Sequence, residues 1–301
     1  MKVVDWRQAP AALMRALYSE EHLRWASQLG WNTTETWAEV EQARAAGRLA
    51  GLLAVPDDGD PADIRGWTYF LIEGGLLQVG GIVARSPEAT RALLDALCSE
   101  ARRAGVEGIG VFVYADAPGF EEALAARGFD VRRYRYLQRS PHVSNPLDIA
   151  PAGRWRADDV PRAAALLRAA YGANGVYFAP HGRVEEWERY VRNLVEYPAC
   201  GHFDPAATRV LRDGDRLLGV VMVTALGPGV AHIAQVAVHP DARGRGVAGR
   251  LLDDAIAYAT SQGLPRVTLL VDEQAEAPGA LYARRGFEPV ACFTAARRVS
   301  A

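Results

Sequence analysis

Two short segments, LLDAL beginning at Leu93 and LLDDA beginning at Leu251, differ in number by 158. Gly105 and Gly263 differ by the same 158, and so do ARGF at Ala126 and RRGF at Arg284. One register shared by three separated landmarks calls for two copies of a single folding unit in one chain. The copies are expected over 1–140 and 148–301. SPHVSNPLDIAPAG, from Ser140, is rich in Pro, Ser and Asn and reads as the linker. A length of 301 residues agrees with two domains.

The second copy reads in the order β-α-α-β-β-β-α-β-α-β-β. DVPRAAALLRAAY, from Asp159, is an amphipathic helix with an aspartate where a cap belongs, and VEEWERYVRNLV, from Val184, is a second helix. TRVLRDGDRLLGVVMVTAL, from Thr208, is two strands joined around Asp213-Gly214-Asp215, and GVAHIAQVAVHP, from Gly229, is another strand. A long helix follows Gly246 and stops at Gly263 and Pro265. RVTLLV, from Arg266, is a buried strand by its continuous apolar run. PGALYARR, from Pro278, is a short helix, and FEPVACFTAARRV closes the sheet. The first copy repeats the centre of this series, with a helix over Pro87 to Ala104, after a more helical lead-in up to Gly47. The expected class is α/β (α+β), each copy a mixed, mostly antiparallel sheet flanked by helices.

Composition narrows the function. Half the residues are hydrophobic and 23% charged, the profile of a soluble globular protein. A formal net charge of −2 argues against nucleic-acid binding through bulk positive charge. The N-terminal MKVVDWRQAP lacks the apolar core of a signal peptide, and LLGVVMVTAL, from Leu217, is too short to span a bilayer. Cys98, Cys200 and Cys292 form neither a CxxC pair nor a disulfide framework, so a reducing cytoplasm is the expected location. CGHFDP, from Cys200, is a poor metal site because one extended run cannot easily wrap an ion, and no metal is expected.

The chemistry concentrates in AQVAVHPDARGRGVAGRLL, from Ala234, which passes from strand to helix through a turn with three glycines. Gly244, Gly246 and Gly249 spell the dinucleotide fingerprint G-x-G-x-x-G, with Asp272 and Glu273 beyond as ribose partners. That reading fails. Five residues separate Val238 from Gly244, only 29 residues follow Asp272, and the preceding strand belongs to an antiparallel meander. The same residues read better as a general phosphate cradle. A helix N-terminus offers unpaired N–H groups and a positive dipole end, and glycines let the amides converge. Arg243, Arg245 and Arg250 add cationic donors.

VAVHPDARGRGVAGRLL and ALYARRGFEPV resemble the acyl-CoA loop and the closing helix–strand element of the GCN5-related N-acetyltransferase (GNAT) superfamily. The resemblance covers about 148–301 and reaches 1–140 through the repeat, so the chain is similar to the tandem members of that superfamily. It implies attack of an amine on the thioester carbonyl of acetyl-CoA. The strand Gln235–Val238, with Val236, Ala237 and Val238 as the binding residues, would pair with the pantetheine arm as with an added strand, and the Val238 N–H would hold the oxyanion. Arg243, Gly244, Arg245, Gly246, Val247, Ala248 and Gly249 would grip the pyrophosphate. Tyr282 would donate to the departing sulfur, whose thiol pKa is about 8.5. The family often carries an asparagine seven residues before that tyrosine; Ala275 stands there, so that contact is expected either to be absent or to be supplied from elsewhere, with Gln274 the local candidate.

The strand VAHIAQVAV has no carboxylate to serve as general base. His232, which shares strand parity with Ala234, Val236 and Val238, is the best local candidate. His239, Glu185 and Glu186 are weaker ones, and an acceptor amine of low pKa needs none. Tyr171, Tyr177, Phe178 and Trp187 are expected either to wall the acceptor pocket or to close the core. At the offset of 158, Gly246 falls on Glu88, Gly244 on Ser86, Ala248 on Thr90 and Tyr282 on Leu124, while Arg243 keeps Arg85. The first copy is therefore expected not to bind acetyl-CoA productively. Its Trp31 and Trp37 are expected in the core rather than in a site. A small-molecule amine is the expected acceptor, with a monomeric pseudo-dimer or a homodimer as the assembly. A non-catalytic acyl-CoA-binding scaffold and a protein acetyltransferase are the alternatives.

Overall fold

The computed structural model describes residues 1–58, 63–73, 75–140, 152–172, 183–197, 201–227 and 229–299. In chain order the elements are β1 (Lys2–Asp5), α1 (Ala11–Gln28), α2 (Thr34–Ala45), β2 (Ala50–Val55), β3 (Gly66–Glu73), β4 (Leu76–Ala84), α3 (Pro87–Ala104), β5 (Gly108–Val113), α4 (Phe120–Ala125) and β6 (Asp130–Arg139). Then follow β7 (Gly153–Arg154), α5 (Val160–Tyr171), α6 (Val184–Glu196), β8 (His202–Phe203), β9 (Arg209–Asp213), β10 (Arg216–Ala225), β11 (Val230–Val238), α7 (Val247–Ser261), β12 (Arg266–Asp272), α8 (Glu276–Ala283) and β13 (Glu288–Val299). No helix among the described residues is long and apolar enough to cross a membrane.

The chain divides into two compact units, Met1–Arg135 with Ala291–Ala301, and Tyr136–Val290. These limits differ from the repeat boundaries at both closing strands. Thr294–Val299 of β13 pairs antiparallel with Val113–Gly108 of β5, so the end of the chain groups with the first unit. Tyr136 onward, the end of β6, groups with the second unit, where β6 lies beside β12.

Within each unit the sheet is built alike. In the first, β1, β2, β3 and β4 form an antiparallel meander, and β5 then joins parallel to β4. In the second, β7, β9, β10 and β11 are antiparallel neighbours, and β12 joins parallel to β11. A parallel neighbour requires a crossover, which α3 and α7 supply. Apolar side chains recur at helical spacing in α7, where Leu251, Leu252, Ala255, Ile256 and Ala259 are buried. Burial of each leucine stabilises by about 1.5–3 kcal/mol. Both helices stop at a left-handed glycine, Gly105 (φ 64°) and Gly263 (φ 66°).

The repeat extends to individual contacts. Arg285 Nε and Nη2 donate to the Asp253 carboxylate at 2.7 and 3.0 Å, and Nη1 to Leu281 O at 3.2 Å, tying α8 to α7. Arg127 Nε donates to Asp95 at 2.8 Å and its Nη1 to Ala123 O at 2.7 Å, the same pin in the first unit. Gly219 of β10 has no Cβ because Val247 Cγ1 and Leu251 Cδ1 would lie 2.6 and 2.9 Å from it; Gly66 of β3 meets Leu93 Cδ1 likewise at 3.1 Å. A side chain there would push the helix off the sheet.

Candidate functional site

The strand β11 is paired on both sides only at its start. β12 accompanies it from Val230–Arg266 to Ile233–Leu269, whereas β10 stays with it to Val238. Among the described residues, the stretch from Ala234 to Val238 therefore has one open edge. The His239 N–H donates to Leu218 O on β10 at 2.9 Å. Antiparallel alternation then turns the backbone groups of Val238 and Val236 away from β10, toward that edge. The Val236 carbonyl confirms the direction, since it accepts from the Tyr171 hydroxyl at 2.9 Å.

A bulge interrupts this strand. Met222 faces Gln235 but Val223 faces Ile233, so Ala234 is the extra residue. Before the bulge Ala231 and Ile233 pack into the cluster under α7; after it Val236 and Val238 do. The parity argument for His232 is thereby corrected: it lies on the opposite face from Val236 and Val238. His232 is 5% exposed, its Nδ1 lies 3.0 Å from Thr268 Oγ1, and its ring stacks on Tyr136. Burial lowers its pKa to about 4, which keeps the imidazole neutral at pH 7 and makes it a weak base.

Beyond β11 the chain makes a single turn of 3₁₀ helix at Pro240–Ala242, capped by the His239 ring, whose Nδ1 accepts the Asp241 N–H at 3.2 Å. Gly244 (φ 73°) and Gly246 (φ 75°) then adopt the left-handed conformation, and α7 starts at Val247. Open space surrounds both glycine Cα atoms, so backbone conformation rather than crowding selects glycine there. Gly246, as the N-cap, brings no side chain to the helix end. Among the described residues the N–H groups of Gly244 to Gly249 have no acceptor. Arg243, Gly244, Arg245 and Gly246 are exposed, Ala248 half-buried, and Val247 and Gly249 buried.

Two members of the cradle also have structural work. The Arg243 guanidinium donates to Ala170 O at 2.6 Å and ties the turn to the last turn of α5. A Cβ on Gly249 would lie 2.4 Å from Arg285 Nη2, so this glycine makes room for the arginine pin. Arg245, Gly246, Val247, Arg250 and Arg285 line a cavity of about 550 Å³ beside the helix start. Amides without an acceptor among the described residues, at a helix N-terminus flanked by arginines, suit a diphosphate.

Tyr282 lies on α8, 6% exposed, with its ring edge-on to Phe287. Burial pushes its pKa up to about 12, so it is a phenol, a proton donor, at neutral pH. Ala275 is the N-cap of α8, and Gln274 is exposed with its N–H on Asp272 Oδ1 at 2.9 Å. Glu185 and Glu186 occupy the first turn of α6. Trp187 is buried and stacks on Tyr171. Tyr177, Phe178 and Cys200 lie outside the described residues. No group of three or more His, Cys, Asp or Glu among the described residues is arranged to hold a metal.

Sequence reasoning placed the Gln235 backbone on the coenzyme strand but gave its side chain no role, and passed over Tyr190. Gln235 is 5% exposed; its Nε2 donates to the Tyr190 hydroxyl at 2.6 Å and its Oε1 lies 3.0 Å from the Tyr171 hydroxyl. Their one sequence signal is a polar residue inside an apolar strand.

The first unit differs at each of these points. Only Arg85 and Ser86 separate β4 from α3, where residues 239–246 separate β11 from α7. Ser86 Oγ accepts the Ala89 N–H at 3.2 Å, and Pro87 at the helix start has no N–H. The Asp116 backbone closes the edge of β4: Ala84 N–H donates to Asp116 O at 2.7 Å, and Asp116 N–H to Ile82 O at 3.3 Å. Trp37 packs among Tyr18, Trp67 and Tyr69, and Trp31 against Trp25 and Phe293.

Comparison with known proteins agrees with this architecture. The sequence pattern described as the Acetyltransferase (GNAT) family matches residues 166–287. A mycothiol acetyltransferase from Clavibacter michiganensis subsp. michiganensis is 32% identical over 218 residues, 69% of this chain and 67% of that protein. Another mycothiol acetyltransferase, from Geodermatophilus obscurus, is 30% identical over 195 residues, and the match spans 61% of each chain. Among solved structures, a GCN5-related N-acetyltransferase from Sphaerobacter thermophilus superposes with a TM-score of 0.68 at 18% identity, covering 99% of this chain and 95% of that one. A tandem GNAT protein from the clavulanic acid biosynthesis pathway gives 0.57 at 18% identity, covering 84% and 83%. The open strand edge, the glycine cradle and these matches place the chain in the GNAT acetyltransferase family.

Proposed function

We propose that the second unit transfers an acetyl group from acetyl-CoA to the amine of a small-molecule acceptor. The observation that carries this reading is the run of N–H groups from Gly244 to Gly249 that have no acceptor among the described residues, at the start of α7, exposed over Gly244–Gly246 and following directly on the open edge of β11. These amides would take the diphosphate of the coenzyme. The backbone of Val236 and Val238 would pair with its arm, and the Val238 N–H would stabilise the negative charge developing on the thioester oxygen. The amine nitrogen forms the new bond to the carbonyl carbon as the carbon–sulfur bond breaks. Tyr282, held protonated by burial, supplies a proton to the leaving sulfur. The amine's own proton passes to solvent, and the Tyr282 phenolate regains a proton from solvent, which closes the cycle. Neutral, buried His232 is a packing residue in this scheme.

The relatives named for mycothiol support a small-molecule acceptor over a protein one. The first unit is proposed to serve as a structural partner without a coenzyme site. Screening small primary amines for thiol release from acetyl-CoA tests the activity. Release that depends on the amine and disappears in Gly246→Glu supports it. Tight CoA binding with no release from any amine favours the non-catalytic scaffold.

A further inference from the structure

The Tyr171 hydroxyl ends α5 between two acceptors. It lies 2.9 Å from the Val236 carbonyl, on the open edge of β11, and 3.0 Å from Gln235 Oε1. One phenolic proton serves one of them fully at a time. Gln235 is held in place from its other end by Tyr190, at 2.6 Å, and Tyr171 is held by its stack on Trp187. An acyl-CoA arm that pairs with the open edge needs the Val236 carbonyl as the acceptor for one of its own amide N–H groups.

We propose that Tyr171 and Gln235 are positioning residues for the acyl-CoA arm. The Tyr171 hydroxyl holds the Val236 carbonyl in the free protein and passes to Gln235 Oε1 when the arm pairs with β11. The inference rests on the acyl-CoA reading of this edge. The exchange keeps the hydroxyl's proton bonded in both states, so docking the arm does not strip a hydrogen bond from a half-buried phenol. It also fixes the end of α5 to the occupied strand, because the same turn of helix receives Arg243 through Ala170 O.

The test is a double-mutant cycle read by calorimetric titration with CoA, with thermal melting to confirm that each variant folds. Gln235→Leu removes the second acceptor, so CoA affinity should fall by about tenfold. Tyr171→Phe removes the hydroxyl that must move, and its affinity should stay within about threefold of the parent. The double variant should regain the affinity of Tyr171→Phe. Additive losses, or a double variant as weak as Gln235→Leu, would overturn the exchange and make Gln235 a packing residue. If any variant fails to fold, the crystal structure of the parent with CoA decides: the Tyr171 hydroxyl on Gln235 supports the proposal, and on Val236 overturns it. No CoA binding by the parent protein overturns the acyl-CoA reading itself, and this inference with it.

Discussion

The two units share a frame and differ where that frame leaves polar groups unpaired. Both run an antiparallel meander into a parallel strand through a long helix, and both lock that helix with the same arginine pin, Arg127–Asp95 and Arg285–Asp253. Both carry a bulge on the strand before the helix, with Gly80 and Ala234 as the extra residues. The first unit then satisfies itself. Ser86 caps α3, and Asp116 zips the far half of β4. The second unit takes a longer turn with two left-handed glycines, caps α7 with a residue that has no side chain, and leaves β11 open beyond Ile233. The anion site we propose consists of donors that the fold of the second unit leaves without an acceptor among the described residues, and in the first unit one serine with one short bridge uses their counterparts.

The sharpest way to break that contrast is to give the second unit the first unit's chemistry. Gly246→Glu puts a Cβ on a φ of 75° and a carboxylate into the cradle, so CoA affinity should fall by about a hundredfold or more, read by calorimetry. Undiminished binding would show that the diphosphate lies elsewhere. A smaller loss is expected from Tyr282→Phe. Turnover should fall by about tenfold while CoA affinity holds, and the parent's rate should show no alkaline decline from this phenol until pH nears 12.

Acid separates the units in another way. His232 has a folded pKa lowered to about 4, and the equivalent place on β4 holds Gln78. A lowered imidazole pKa stabilises the fold fully above pH 6.5 and progressively less as pH falls toward 4, because the unfolded chain gains the proton first. Hydrogen exchange should show the second unit loosening before the first over that interval, and His232→Gln should narrow the difference. The smallest effect is expected from Ser86→Ala. It should cost about 1 kcal/mol in denaturant unfolding and leave CoA binding unchanged if, as proposed, α3 holds no coenzyme.

Much of this frame is legible in the chain itself. The LLDAL/LLDDA and ARGF/RRGF landmarks carry the aspartates and arginines of the pins, and so mark the helices that the pins join. A single offset of 158 could not describe the site, however. It holds from α3 and α7 onward, but Leu76 of β4 and Val230 of β11 stand at the same register position, an offset of 154. The difference of four residues falls in the turn, so Glu88 is a residue of the first turn of α3 and not a substitute at the cap. The bulge at Ala234 was equally hidden. Alternation is a property of sequence only while the ladder is regular, and the slip moved His232 to the other face. Gln235 acquires its role from two tyrosines on two helices, a convergence that no local pattern encodes.

The central claim is that one cradle of main-chain donors in the second unit, and none in the first, is built for a coenzyme diphosphate. Calorimetric titration of the full chain with CoA tests it most directly. The account predicts saturation at one CoA per chain. Two per chain, or no binding at all, would contradict it.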